Sequence, residues 1–269
     1  QRPRFRWDVI REKHRSAAAS RNAGLELVAD LPLVTFLDSD DRWPADFLAR
    51  GVAALRARPD APVAVVDRRF FDVDDEVLEE SDCRELVRNP VEWLFHNGAG
   101  VASGTLLRPS NVVAAGGGPA HVESAEDAVL FWELALQGPW VHLPGEPVRF
   151  HLGSALARRE EHNLSHRHAD SHRRWAQVFE MIFTRVCSQQ PSLLRGHLQR
   201  ALAQRWYWAG KQMFALGEAE QARECFRRAV HWQPTMFRAW RRLAVSGAAR
   251  WTGRRPARGV SRRRRGLAG

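Results

Sequence analysis

The sequence contains no uninterrupted apolar run near the ~18–20 residues that a helix needs to cross a bilayer. Its basic first residues are not followed by the apolar block of a secretory signal peptide. The three cysteines, Cys83, Cys187 and Cys225, are odd in number and far apart, which predicts neither a disulfide framework nor a zinc site. These absences favour a cytoplasmic protein in a reducing compartment.

Acidic residues are absent after Glu224, whereas 13 arginines lie between Arg227 and Arg265. The formal net charge of +10 therefore resides in the C-terminal end, because the remaining 28 basic and 31 acidic residues give a net charge of −3. A basic tail predicts contact with an anionic surface, either membrane phospholipid or nucleic acid, or else a solvated disordered end. Since the body of the chain is not basic, we favour peripheral membrane contact over nucleic acid.

Segments typical of strands and helices alternate from residue 1 to about residue 155, which we predict to be one domain. The strand-like runs are residues 33–38, 61–67, 103–109, 140–143 and 147–152, and the helix-like runs are residues 20–30, 44–60, 83–98, 111–118 and 125–138. Ser20 or Asn22 is predicted to begin the first helix, and Pro90 to interrupt the third. Such alternation is typical of an α/β layer fold with a largely parallel sheet.

Residues 156–249 are predicted to form a second, α-helical region. Trp206 and Trp240 are 34 residues apart, and the residues between them show the spacing of a tetratricopeptide repeat at about residues 203–236. Small residues let two helices approach closely, and aromatic residues fill the groove between them. An ordinary helical hairpin is the alternative. The residues that carry the spacing are Gly210, Gly217, Ala222, Phe226, Ala229 and Pro234. Residues 250–269 have no periodicity and are predicted to be a basic, disordered tail.

Three carboxylates lie within four positions at the end of the apolar run in LVTFLDSDDRWP, residues 33–44. If the run is a strand, Asp38, Asp40 and Asp41 stand at its C-terminal end, where open α/β sheets bind ligands. Carboxylate oxygens suit Mg²⁺ or Mn²⁺, and such sites leave coordination positions for phosphate oxygens. The cluster therefore predicts a divalent cation. Without a cation, one of the acids is expected to have a raised pKa.

Clustered acids of this kind also occur in calcium loops, in phosphatases and at helix starts. An EF-hand calcium loop needs an oxygen ligand and then glycine at its fifth and sixth positions, where Arg42 and Trp43 stand. A phosphatase of the haloacid dehalogenase type shares the Asp-x-Asp pattern, but it needs a downstream lysine, and Lys13 and Lys211 are not suitably placed. Capping of the helix that follows Pro44 accounts well for one carboxylate but not for three.

Three segments, in order, resemble glycosyltransferase family 2. They are SRNAGLELVADLPLVTFLDSDDRWPADFLARGVAAL, SGTLLRPSNVVAAGGGPAHVESAEDAVLFWELALQGPW and VRFHLGSAL, together covering about residues 15–155. The resemblance implies an α/β fold of the GT-A (Rossmann-like) type, with a mixed sheet flanked by helices. It also implies an inverting, metal-dependent transferase of the kind found in polysaccharide biosynthesis. Such an enzyme moves a sugar from a nucleotide-diphosphate sugar to a glycan, lipid-linked or protein acceptor.

The resemblance assigns roles to individual residues. Asp127, supported by Glu126, would be the catalytic base that takes the proton of an acceptor hydroxyl. A position at a helix start would stabilise its charged form, although helix capping would also account for this pair. The residues expected to bind the donor are Arg21, Asn22, Asp38 and Asp40, and those expected to bind Mn²⁺ or Mg²⁺ are Asp40, Asp38, Asp41 and His151. A lone histidine in a strand is often structural, and a helix start accounts for Arg21 and Asn22 equally well.

The chain departs from the family pattern at both ends of the resemblance. Residues 116–124 read GGGPAHVES where the family has Gly-Gly-Phe-Asp-Glu, and Val129 and Glu133 replace an acid and an arginine. We therefore expect altered acceptor binding. The family's first βαβ unit, which grips the nucleotide base, has no counterpart in QRPRFRWDVIREKHR. This difference predicts an N-terminally truncated fragment whose activity on its own is in question.

Two hypotheses follow from the sequence. In the first, a family 2 glycosyltransferase uses its helical region to hold a protein partner or the acceptor, and its arginine tail rests on the cytoplasmic membrane face. In the second, the chain is a non-catalytic helical-repeat interaction protein with a degenerate α/β domain. Its basic tail would then bind membrane or nucleic acid.

Overall fold

The computed structural model describes residues 8–11, 16–72, 74–98, 101–119, 122, 125–151, 169–189 and 195–252. The chain divides into two units, residues 1–167 and residues 168–269. The described residues of the first unit form six α-helices and four strands, and those of the second form four α-helices. Residues 250–252, which we predicted to belong to the tail, end the last helix. The rest of the predicted basic tail and the Gly-Ser after His151 lie outside the described residues.

The first unit begins with helices and then interleaves them with strands. Its helices are α1 (Ala17–Val28), α2 (Phe47–Ala57), α3 (Arg84–Arg88), α4 (Pro90–Asn97), α5 (Pro109–Ala114) and α6 (Glu126–Leu136), with a 3₁₀ turn at Ala102–Gly104. Its strands are β1 (Val63–Phe71), β2 (Val77–Ser81), β3 (Thr105–Leu107) and β4 (Val141–His151). The predicted break before Pro90 is present, because the side chain of Asn89 caps α4 by accepting from Glu92 N at 3.2 Å.

Helix α1 begins earlier than predicted. Its N-cap is Ser16, whose hydroxyl accepts a hydrogen bond from Ala19 N at 3.2 Å, so the prediction of Ser20 or Asn22 was wrong. The alanines that follow Ser16 are the best helix formers, so the upstream serine caps the helix. Because Arg21 and Asn22 then lie in the second turn, a helix start no longer accounts for them.

Strand β1 is the centre of a mixed four-stranded sheet. Along one edge it pairs with β4 in parallel. Along the other it pairs antiparallel, first with β3 through residues 63–65 and then with β2 through residues 68–71. The prediction of a largely parallel sheet is therefore wrong, since only one of these pairings is parallel. A small mixed sheet with helices packed against it agrees with the GT-A-like fold that the resemblance implied.

The predicted strand at residues 33–38 is not a strand in the structure. Val34 forms one antiparallel bridge with Leu107, with N–O distances of 2.9 and 2.7 Å. The hydroxyl of Thr35 donates to Thr105 O at 2.6 Å. The run is thus extended beside β3, but a single bridge is too little pairing for a ladder.

Two further strand predictions need correction. The short strands predicted at residues 140–143 and 147–152 are one strand, β4, whose register with β1 shifts between Val66 and Arg68. Strand β2 was not predicted, because VLEES lacks the alternation of apolar and polar residues that marks a half-buried strand. It forms as an exposed strand whose backbone pairs with β1.

The sheet and α2 enclose a hydrophobic core. Gly51 of α2 permits the close contact, since a Cβ at that position would lie 2.8 Å from Leu106 Cδ2. Each fully buried large aliphatic or aromatic side chain contributes about 1.5–3 kcal/mol to folding, so this layer fixes the strands beside the candidate site. The buried members are Phe47, Leu55, Ala61, Ala64, Val66, Leu106, Leu143 and Val148.

Helix α6 is buried over most of its surface. Its Trp132 meets Phe95 of α4 edge-on, with ring centres 5.4 Å apart, and its Phe131 packs against Trp140 at 6.1 Å. These contacts fix the helix and therefore its first turn, where Glu126 and Asp127 stand. The buried residues are Ala128, Leu130, Phe131, Trp132, Leu134 and Ala135.

The second unit is helical throughout its described residues. Its helices are α7 (Ser171–Gln189), α8 (Arg195–Ala215), α9 (Ala219–Trp232) and α10 (Phe237–Thr252), each packed against the next. Gly210 of α8 lies against the buried ring of Phe226 in α9, because a Cβ at Gly210 would be 2.6 Å from Phe226 Cε1. The spacing predicted this close approach, which an ordinary helical hairpin would also show, so the tetratricopeptide assignment stays a prediction. None of the described helices is both long and apolar enough to cross a membrane.

Candidate active site

Residues 38–41, the acidic turn, form a hydrogen-bonded turn that is attached at both ends. Asp41 N donates to Asp38 O at 3.1 Å, which closes the turn. On one side, the extended run bridges to β3. On the other, Arg42 and Arg149 of β4 exchange two backbone hydrogen bonds of 3.0 Å each. The acidic turn is therefore fixed to two strands, although the run before it is not itself a strand.

Ser103, in the 3₁₀ turn before β3, fixes the acidic turn from within and is fully buried. Its hydroxyl accepts from Asp38 N at 3.1 Å and also hydrogen-bonds the Asp41 carboxylate. Its carbonyl accepts from Trp43 Nε1 at 2.7 Å. We did not predict Ser103 as a site residue, because its role depends on partners 60–65 residues away in the chain.

Arg21 connects the acidic turn to the start of α6. Its Nη2 donates to Asp38 Oδ1 at 2.8 Å, and its Nη1 lies 4.0 Å from Glu126 Oε1. Its guanidinium lies 5.9 Å from the ring centre of Phe36, within the range of a cation–π contact. Two residues predicted to bind the donor, Arg21 and Asp38, therefore lie in one cluster with the predicted catalytic Glu126.

Arg21 and Glu126 border a recess in the first unit. Polar groups converge on it from Arg21 and Asn22 of α1 and from Glu126 and Asp127 of α6. The other lining residues are Ala18, Phe36, Val112, Gly118 and Leu130.

Asn22 holds the glycine turn after α5 against α1. Its Nδ2 donates to Gly118 O at 2.7 Å, and its Oδ1 accepts from Gly118 N at 2.8 Å. A Cβ at Gly117 would lie 2.8 Å from Asn22 Oδ1, and this glycine has φ +67°. Asn22, which we predicted to bind the donor, thus has its amide engaged by the backbone, and its visible contribution is to shape the recess.

Helix α6 starts from a strained residue. Ala125, its N-cap, has φ 59°, in the left-handed region that costs a residue with a Cβ about 1–2 kcal/mol. Asp127 Oδ1 accepts from Ala128 N at 2.8 Å, and the same N–H donates to Ala125 O at 3.1 Å, but no described side chain caps the helix start. Burial raises the pKa of the adjacent Glu126, while the Arg21 charge opposes the rise. Capping does not account for the approach of Arg21 to Glu126.

Asp41 differs from the other acids of the turn. Burial raises its pKa from 3.8 to about 6, the nearby charges of Asp40 and Asp38 add to the rise, and a hydrogen bond from Ser103 opposes it. His151 N also donates to Asp41 Oδ1, at 3.3 Å. We expected one raised pKa in the cluster, and the direction agrees, but burial rather than repulsion is the largest cause.

Replacement of Asp41 by asparagine is expected to stabilise the protein at pH 7.5 in the presence of a chelator. Because the folded-state pKa of Asp41 lies above its unfolded-state value, ionisation of Asp41 lowers the stability of the folded state as pH rises from about 4 to above 6. Discounted for solvent screening to about 1 kcal/mol, the effect corresponds to a rise in Tm of about 2–4 °C. The gain should shrink towards pH 4. Thermal unfolding across this pH range measures it.

Asp30→Asn is the matched control, since it removes an exposed carboxylate from the same unit. Its effect on Tm should be small at every pH. The raised pKa of Asp41 would be contradicted if the Tm difference between Asp41→Asn and the natural chain were no larger at pH 7.5 than at pH 4.5.

His151 lies at the end of β4, where its side chain contacts the β1–β2 turn. Its Nε2 lies 3.3 Å from Asp75 Oδ1, and its ring stacks on Phe71 at 5.7 Å. Asp75 Oδ1 also accepts from Arg149 Nη2 at 2.6 Å, and these two hydrogen bonds lower the pKa of Asp75. In the described part of the chain, the His151 side chain thus pairs with Asp75, whereas its backbone contacts Asp41.

The acidic turn offers oxygen donors that suit a hard divalent cation. Asp38 and Asp40 are exposed, and Asp41 is only partly buried. Among the described residues, the carboxylates of the turn do not bring three ligand atoms within 4.8 Å of one another. An open donor set of this kind fits Mg²⁺ or Mn²⁺, which usually keeps one or two carboxylates and takes its other oxygens from water and substrate phosphates.

Comparison with known families bears on the part of the chain that contains the acidic turn. Residues 3–105 match the family model described as glycosyl transferase family 2. The match supports glycosyltransferase family 2. No curated protein matches the chain. The family match supports glycosyltransferase activity in general, with a nucleotide-sugar donor and an acceptor.

The range of the family 2 match divides the candidate site. It includes Arg21, Asn22 and the acidic turn, and it starts before residue 15, where we expected the resemblance to begin. It ends before Glu126 and Asp127. The contact between Arg21 and Glu126 joins the matched part of the site to the part beyond the match.

Proposed function

We propose that the chain is an inverting, metal-dependent glycosyltransferase that moves a sugar from a nucleotide-diphosphate sugar to a glycan, lipid-linked or protein acceptor. One observation carries the proposal: Arg21 contacts Asp38 on the donor side and approaches Glu126 on the acceptor side. The family 2 match contributes the donor side, and the first turn of α6 contributes a pair of carboxylates to the same recess.

The transfer step assigns distinct tasks to the two sides of the recess. An acceptor hydroxyl attacks the anomeric carbon from the face opposite the diphosphate, so the new C–O bond forms as the bond to the diphosphate oxygen breaks. Asp127 takes the hydroxyl proton, and the configuration at the anomeric carbon inverts. Arg21 orients Asp38 towards the nucleotide or its ribose. Asn22 keeps the glycine turn in place at the edge of the recess.

The donor's charge requires a counterion at the acidic turn. Asp40 would hold Mn²⁺ or Mg²⁺, with Asp38 and Asp41 in support and His151 as a further candidate ligand from β4. When bound, the cation would neutralise the leaving diphosphate.

The helical unit and the tail have roles in the same proposal. α10 exposes Phe237 and Trp240, which are 83% and 48% accessible, and such residues suit contact with a protein partner or the acceptor. The arginines of residues 253–269 would hold the enzyme at the cytoplasmic face of an anionic membrane. Binding to anionic vesicles that weakens as salt rises would support this role.

The test of the proposed function is Mn²⁺-dependent turnover of UDP- and GDP-sugars. The chain should be assayed for hydrolysis and transfer, with Mn²⁺ and with chelator. Asp40→Ala is expected to lower turnover by about 10–100-fold, because the cation loses its principal ligand. Asp30→Ala, at an exposed position outside the recess, should retain activity.

Equal activity of Asp40→Ala and the natural chain would overturn the metal assignment. Absence of turnover and of donor binding across the panel of donors would instead favour the non-catalytic interaction protein. Mass-spectrometric detection of the released nucleoside diphosphate distinguishes slow turnover from no turnover.

A further inference from the structure

A second group of metal-ligating side chains lies across three strands of the sheet, apart from the recess. Asp67 belongs to β1, Asp82 follows β2, and His142 belongs to β4. One ligand atom from each lies within 4.8 Å of the other two. Neither the acidic turn nor the first turn of α6 contributes to this group, so it serves no step of the proposed transfer.

Strand register brings these side chains together. Arg68 pairs with Ser81 in the antiparallel ladder, so continuation of the register by one residue places Asp67 opposite Asp82. His142 pairs with Val65 in the parallel ladder and therefore lies on the face of β1 that also carries Asp67. Two carboxylates directly opposite each other repel, so a nearby positive charge stabilises this register.

Neighbouring donors now supply part of that compensation. Asp67 Oδ1 accepts from Cys83 N at 2.8 Å and lies 2.9 Å from His142 Nε2. Asp82 pairs with the guanidinium of Arg84. The Arg84 side chain is 70% exposed, so it can leave Asp82 without uncovering buried surface.

We propose that Asp67, Asp82 and His142 bind a divalent cation of the Zn²⁺ class, with Asp82 exchanging the Arg84 guanidinium for the ion. Two carboxylate oxygens and one imidazole nitrogen form a donor set that Zn²⁺ accepts, and a water would complete four-coordination. Bonds of about 2.0–2.2 Å place ligand atoms about 3–4 Å apart. The three ligand atoms now lie within 4.8 Å of one another, and His142 Nε2 and Asp67 Oδ1 lie 2.9 Å apart. His142 would present Nε2, the nitrogen that now faces Asp67.

The bound ion would stabilise the position of β2 in the sheet. Four of the five residues of β2 are exposed, so side-chain packing contributes little to its position. A cation shared by the residue after β2, the middle of β1 and the start of β4 would link all three strands. The site would thus link the three strands through three protein ligands, with a water as the fourth ligand.

The test is Zn²⁺ binding by the full chain after removal of metals with chelator. An Asp40→Asn background keeps the acidic turn from contributing. Calorimetry should detect one bound Zn²⁺ per chain. His142→Ala should abolish this binding or weaken its affinity by at least about 10-fold. Zn²⁺ at about 100-fold above its Kd should raise the Tm of the first unit by several degrees, and this rise should vanish in His142→Ala. Circular dichroism confirms that each variant is folded.

Two variants separate a metal site from a simple ion-pair network. Arg84→Gln removes the competing cation, so its Zn²⁺ affinity should rise by about 2–5-fold, as expected for loss of an exposed ion pair. Asp82→Asn should lose the Zn²⁺-dependent rise in Tm. His231→Ala, an exposed histidine in α9, should change neither quantity. No Zn²⁺ binding, or binding that survives both His142→Ala and Asp82→Asn, overturns the proposal and leaves that of glycosyl transfer untouched.

Discussion

Asp127→Asn is expected to lower kcat for sugar transfer by about 10²–10⁴-fold, the usual contribution of a general base. Asparagine has nearly the same shape, and its Oδ1 can still accept the hydrogen bond from Ala128 N, so α6 should start as before. The amide cannot take a proton from the acceptor hydroxyl. Steady-state transfer at saturating donor and acceptor measures kcat, and donor binding should change little.

Glu126→Gln is the matched comparison, because it changes the adjacent carboxylate in the same turn. Its main described contact is the approach to Arg21 at 4.0 Å, so we expect a loss nearer to 10-fold, expressed chiefly in KM. If Glu126→Gln abolishes kcat while Asp127→Asn retains it, the roles of the two acids are reversed. If neither lowers kcat, the recess at α6 is not the catalytic site.

Local sequence signals predicted the elements whose formation depends on near neighbours. The acid pair at the start of α6, the apolar body of that helix and the break before Pro90 all follow from residues within one or two turns. The short strand β3 and the small helix α5 also agree with the sequence. Two of them, α5 and α6, line the recess.

Distant pairing decided the features that the sequence could not predict. The acidic turn is not the end of a strand, because its apolar run pairs with β3 through one bridge, and Ser103 holds the turn from 60 or more residues away. Asp75 reaches Arg149 and His151 across more than 70 residues. The residues next to Ser103 and Asp75 in the sequence give no signal for these distant contacts. The contacts become visible only once the pairing of the strands is known.

Gly210→Ala is expected to destabilise the helical unit by about 1–3 kcal/mol, despite the higher helix propensity of alanine. The new Cβ would meet three atoms of the Phe226 ring at 2.6, 2.7 and 2.9 Å. That ring is fully buried, so it cannot turn away into solvent, and α8 and α9 must separate to admit the methyl group. Denaturant unfolding followed by circular dichroism measures the loss as a lower midpoint.

Gly196→Ala is the control within the same helix, because a Cβ there would meet no atom within 4 Å. It should stabilise α8 by up to about 1 kcal/mol, so the two alanine variants should shift the midpoint in opposite directions. Two variants that both stabilise would mean that α8 and α9 are not in close contact at Gly210. The small-residue spacing from Trp206 onward would then lose its physical basis, and with it the case for a helical-repeat partner surface.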